Sequence, residues 1–148
     1  MSLILKNCRC ILLQENESWT RCKGTLRGLH FQRGASAQAK LVRCLTGAVR
    51  DVIVDIRAGS PTRFRWLAVE LSAHDHTMLF IPKGFAHGFL TLTDDVLFQY
   101  KTDAYYDPAS EGAVRWNDPT LAVDWGVETP ILSPKDAAAP FLEAANLD

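Results

Sequence analysis

Long apolar runs are missing from this sequence. The opening stretch MSLILKNCRCILLQ is partly hydrophobic, but Lys6, Cys8, Arg9 and Cys10 interrupt it short of the length of a signal or membrane-spanning helix. The expected location is therefore the cytoplasm, with no membrane partner. An excess of charge of either sign is missing too. Sixteen basic residues against seventeen acidic leave a net charge of -1, so no general positive field draws in nucleic acid or an acidic surface. An anionic small molecule would need a local cluster of Arg and Lys. Zinc-type cysteine spacing is absent: Cys8-x-Cys10 is too tight for the common pairs, and neither a second Cys pair nor paired histidines follow at finger spacing. With 148 residues and 47% hydrophobic content, the chain can bury a core without a disulfide framework. Cys8, Cys10, Cys22 and Cys44 are expected as reduced thiols. Repeats, low-complexity tracts and linkers are also lacking, which leaves residues 1–148 as a single domain.

What the sequence does have is a succession of short β-rich runs punctuated by turns, the pattern of an all-β sandwich or barrel. Lys40 to Leu45 and Val49 to Ile56 flank Thr46-Gly47 and read as a hairpin. Arg65 to Leu71, Met78 to Ile81, Phe85 to Leu92 and Val96 to Thr102 continue the series, separated by AGSPT, SAHDHT, PKG and TDD. Helical periodicity is nearly absent until the tail. There Ser133-Pro134 supplies a cap and first-turn pair for a short helix around Asp136 to Ala139.

Strand alternation in LRGLHFQ puts Gly28, His30 and Gln32 on one face and Arg27, Leu29 and Phe31 on the other. Lys40 opens a strand, Asp51 lies inside VRDVIVDI, His87 follows a Gly-Phe-Ala turn and Tyr100 lies in LFQYK; inward polar residues of this kind lining a barrel mouth suit a polar ligand. His74 and His76 lie in a turn and read as structural. His30 and His87 sit beside glycine, in RGLHF and FAHGF, where backbone approaches a ligand closely. A metal-holding barrel would call for an H-x-H pair, but the chain has His30-Phe31-Gln32, so the chemistry falls to protein acids and bases. Taken singly, each residue has a structural reading as well. Lys40 fits an edge-strand charge, Tyr100 a core aromatic, and Asp136 a helix-start carboxylate.

Five stretches narrow this further. RGLHFQ (Arg27 to Gln32), KLVRCLTGAVRDVIVDIRAGSPT (Lys40 to Thr62), IPKGFAHGF (Ile81 to Phe89), YKTDAYYDPASEGAVRWNDP (Tyr100 to Pro119) and PILSPKD (Pro130 to Asp136) resemble the dTDP-4-dehydrorhamnose 3,5-epimerase family in order and spacing. The resemblance implies a cupin-type double-stranded β-helix, or jelly-roll barrel, with a short C-terminal helical segment. It also implies a homodimer, no metal or other cofactor, and a nucleotide-sugar substrate, a 4-keto-6-deoxyhexose on thymidine diphosphate. Site roles follow from the same likeness. His30 matches the general base, Asp136 the carboxylate that orients it, Lys40 the cation beside the enolate and Tyr100 the acid on the opposite face. Arg27, His87, Glu111 and Lys135 match substrate and diphosphate contacts, and Tyr106 the aromatic that stacks on the base.

The likeness weakens at the start. N-terminal strands are expected to be shortened relative to the family, and in QENES, Glu17 stands where the family usually has His. Two other readings therefore accompany that of a 3,5-epimerase. One is a single-centre epimerase or ketoisomerase on the same barrel, and the other a sugar-nucleotide-binding paralogue without turnover.

Overall fold

The computed structural model describes residues 11–148, so Cys8 and Cys10 lie outside the described residues. The described chain forms strands β1 (Gln14–Thr20), β2 (Thr25–Gln32), β3 (Lys40–Thr46), β4 (Ala48–Asp55), β5 (Trp66–Ser72), β6 (Leu79–Ile81), β7 (Phe85–Thr91), β8 (Val96–Thr102), β9 (Glu111–Ala113) and β10 (Ile131–Leu132). A one-turn helix α1 (Pro134–Ala137) follows the last of them.

The strands build two facing sheets, one in the order β1-β8-β3-β6 and the other β10-β2-β7-β4-β5 with β9 added alongside β2. This is the jelly-roll barrel that the resemblance implied. One local expectation fails: β3 and β4 are not a hairpin. β3 pairs with β6 and β8, whereas β4 pairs with β5 and β7. Gly47, at φ +72°, carries the chain from one sheet to the other. A methyl group there would lie 2.5 Å from Thr93 Oγ1, so the corner accepts only glycine without rearrangement.

Alternation along each strand sorts the apolar residues into two clusters. Val42, Cys44, Val49, Leu71, Ile81, Phe89, Val96 and Phe98 fill one end of the space between the sheets. Leu26, Leu29, Val52, Val54, Leu90, Val114, Leu121, Trp125 and Leu142 form the second cluster, on the outer face of the six-stranded sheet beneath the C-terminal segment. Each fully buried Leu or Phe contributes about 1.5–3 kcal/mol, so both clusters hold the six-stranded sheet in place. The other end of the inter-sheet space is left to polar side chains. Cys44 belongs to the inner packing. Its Sγ donates to the Leu71 carbonyl at 3.3 Å, and burial pushes its thiol up to about 11. Cys22 and Cys44 are both unbridged.

Ser133 caps α1 as its sequence position suggested, accepting from the Asp136 amide at 3.1 Å. The helix spans Pro134–Ala137, slightly earlier than Asp136 to Ala139, because the cap itself sets its first residue.

Candidate active site

A cavity of about 340 Å³ opens at the polar end of the barrel. Residues from both sheets and from α1 line it, including all nine singled out from sequence. Those nine are His30, Tyr100, Lys40 and Asp136, together with Arg27, His87, Tyr106, Glu111 and Lys135. Alternation had put Arg27 on the face opposite His30, yet both line this cavity. The ladder between β2 and β7 shifts register between Arg27 and His30, which moves the phase by one residue. Gly28 absorbs the change at φ +127° and lies so close to β7 that a methyl group would sit 2.5 Å from Gly88 Cα.

His30 donates from Nε2 to Asp136 Oδ1 at 2.6 Å. Asp136 is 3% exposed, and burial alone would push its carboxyl up. Its contacts with His30, the Ser133 hydroxyl (2.7 Å) and the Gly28 amide (3.2 Å) outweigh that and hold it below its usual range. An ionised carboxylate only accepts, so the proton of the neutral ring sits on Nε2 and the free lone pair on Nδ1. That lone pair is what a general base needs.

The second histidine is held in the same way. His87 donates from Nε2 to Asp51 Oδ2 at 2.8 Å, and Asp51 is wholly buried. The other carboxylate oxygen, Oδ1, has no hydrogen-bond partner among the described residues. Sequence reading placed Asp51 among the inward polar residues but gave it no role. A lone Asp between Arg50 and Val52 carries no signal of its partner, which sits two residues off register on β7.

Lys40 shares this environment. Burial pushes its ammonium down to about 8, against the opposing pull of Asp51 and Glu111. On the neighbouring strand β8, and so on the wall facing His30, the phenol of Tyr100 is raised above its usual value, first by burial and also by Glu111 and Tyr106, while Arg27 pulls it down. It is a protonated group with a cation at hand.

The outer rim is a chain of ionic contacts. Lys135 Nζ lies 2.7 Å from Glu111 Oε1, and the Tyr106 hydroxyl donates to Glu111 Oε2 at 3.1 Å. Tyr106 is 52% exposed, leaving its ring open for contact. Gln32, where an H-x-H pair would place its second His, is structural: it donates to the Ser36 and Tyr105 carbonyls and accepts from the Asp107 amide. It therefore pins the loop that carries Tyr106. Among the described residues no group of three or more His, Cys, Asp or Glu is clustered as a metal site. Glu17 is exposed on β1, while its neighbour Ser18 lines the cavity, so the departure from the family's His falls on the outer face.

Comparison with known proteins adds a second line of support. The family model described as dTDP-4-dehydrorhamnose 3,5-epimerase matches residues 4–144. The dTDP-4-dehydrorhamnose 3,5-epimerase of Salmonella typhimurium is 53% identical over 136 residues, covering 91% of this chain and 74% of the relative. A dTDP-6-deoxy-D-glucose-3,5-epimerase of Legionella pneumophila, solved with dTDP-4-keto-L-rhamnose, superposes with a TM-score of 0.87 at 47% identity, covering 93% of this chain and 72% of that one. A 3'-monoepimerase of Streptomyces bikiniensis, solved with dTDP-quinovose, gives 0.83 at 38% identity, covering 89% and 67%.

Proposed function

The chain belongs to the dTDP-4-dehydrorhamnose 3,5-epimerase family, and from that premise we propose how its cavity works. It is an isomerase of deoxysugar biosynthesis that inverts C3 and C5 of a dTDP-4-keto-6-deoxyhexose. The ketone at C4 acidifies both neighbouring C–H bonds, and inversion needs a base on one side of the sugar ring and an acid on the other. The observation that carries the assignment is that His30 and Tyr100 enter the cavity from opposite walls. His30 comes from β2 in the six-stranded sheet, and Tyr100 from β8 in the four-stranded sheet.

His30 Nδ1 takes the proton while Asp136 steadies the imidazolium that forms. The electron pair moves onto the ketone oxygen, where Lys40 supplies a fixed positive charge. Tyr100 then gives its proton to the opposite face of the carbon. His87, oriented by Asp51, and Arg27 hold the sugar end; Lys135, steadied by Glu111, meets the diphosphate region, and Tyr106 stacks on the base. No metal is required, since both cavity histidines already bond carboxylates and the enolate has a cation beside it.

The chain works as one domain in the cytoplasm and as a homodimer. Supporting the dimer, no described residues cover the outer face of the four-stranded sheet as the C-terminal segment covers the other sheet, and Trp19 stands 59% exposed on it. One preparation tests these points. Nuclear magnetic resonance should show conversion of dTDP-4-keto-6-deoxyglucose to the 3,5-inverted ketosugar, unchanged after a strong chelator, and sedimentation should give twice the chain mass. Loss of activity to chelator, or monomer only at micromolar concentration, contradicts the corresponding point. The likeness to a 3'-monoepimerase keeps a second reading in view, in which only C3 is inverted. The same spectra decide between them.

Lys40 gives this mechanism a pH signature. The charged form is needed, so kcat/KM is expected to fall above about pH 8, by about tenfold per unit where a single group controls the rate. Stability should move the other way. The folded-state value lies below the ordinary 10.5, so between about 8 and 10.5 the unfolded chain binds the extra proton and folding gains as pH rises. A rate that stays level to pH 10 while Lys40→Met is inactive would contradict the assigned charge state.

A further inference from the structure

Asp136 can orient His30 only if α1 stays fixed against β2, and α1 is a single turn held at its start by Ser133. Its exit is held by Arg115. The Arg115 Nη2 donates to the Ala137 carbonyl at 2.9 Å and its Nε to the Ala139 carbonyl at 3.0 Å. Its backbone amide donates to the Pro140 carbonyl at 2.7 Å, and its guanidinium lies 4.7 Å from the centroid of the Phe141 ring. One planar side chain thus satisfies two carbonyls at the end of a helix too short to satisfy them itself.

The other end of this bracket is fixed to the base's own strand. Val114, next to Arg115, exchanges backbone hydrogen bonds with Leu29 at 3.0 and 3.1 Å, and Ala113 pairs with His30 in the β2–β9 ladder. A closed circuit results: His30 backbone, β9, Arg115, the exit of α1, Asp136, and back to the His30 ring at 2.6 Å. Arg115 lies outside the cavity lining, so it touches neither substrate nor base.

We propose that Arg115 is a positioning residue for proton abstraction, setting the place of Asp136 and through it the orientation of His30. This rests on the reading of His30 as the base. Displacements of about 1 Å at a catalytic group cost up to about a hundredfold, so Arg115→Ala is expected to lower kcat by about ten- to a hundredfold. KM should change much less than kcat, because Arg27, His87 and Tyr106 hold the substrate from other elements and only Lys135 among the assigned contacts rides on α1. Added guanidinium should restore part of the rate.

The decisive measurement is a double-mutant cycle on the full chain with Asp136→Asn, reading both turnover and hydrogen exchange at substrate C3 and C5. If Arg115 acts through Asp136, the double variant is no slower than Asp136→Asn alone. Losses that multiply would overturn the proposal, as would a defect confined to KM. Should Arg115→Ala fail to fold, Arg115→Lys serves in the same cycle, since lysine keeps the charge and loses the two-carbonyl fork. Equal kcat in Arg115→Lys and the parent would also overturn it. His30→Ala, run alongside, separates the two levels: full exchange in that variant removes the base assignment itself, whereas a dead His30→Ala with a multiplicative cycle removes only the role of Arg115.

Discussion

His30→Ala is expected to lose about a hundred- to ten-thousand-fold in turnover, the usual contribution of a general base, and to lose hydrogen exchange at C3 and C5 with it. Both losses come from the same step, since without the Nδ1 lone pair no enolate forms. The fold should survive the change. Asp136 keeps the Ser133 hydroxyl and the Gly28 amide as donors, so its buried charge is not orphaned. A folded variant that still exchanges normally would mean that a different group removes the proton.

Parts of this account were legible in the sequence, and the parts that were not share a physical cause. The strands themselves could be read from β-rich runs and turn residues. Their pairing could not, because a jelly roll sends consecutive strands to different sheets, and Thr46-Gly47 looks the same whether it closes a hairpin or turns a corner between sheets. Glycine next to His87 and two residues before His30 drew both histidines out of the sequence, and both line the cavity. Arg27 was put on the wrong face, because simple alternation has no knowledge of an irregularity at Gly28. Asp136 was legible only through the motif PILSPKD. On its own it is a first-turn carboxylate of a short helix, and its partner lies 106 residues earlier in the chain. Asp51 and Arg115 show the same limit. Each acts through a contact that strand register and the path of the C-terminal segment create, and no local pattern announces it.

Tyr100→Phe carries the other large expected effect. The hydroxyl is the acid on the far wall, and removing it leaves His30, Asp136 and Lys40 in place. Enolate formation should continue, but the proton would return mainly from the side it left. Net inversion is therefore expected to fall by about a hundredfold or more, while exchange with solvent persists. The ring itself packs beside the inner apolar cluster, so phenylalanine preserves the fold. Its phenol, held above the usual value first by burial, is protonated across the working pH range, so the variant lacks a donor rather than a phenolate.

The central claim is that proton removal and proton return occur on opposite walls of one cavity. It is tested most directly by incubating Tyr100→Phe with the ketosugar nucleotide in heavy water and following C3 and C5 by nuclear magnetic resonance. The account predicts deuterium entering with the original configuration retained at both carbons. Inversion at the parent rate, with deuterium in the inverted product, would contradict it.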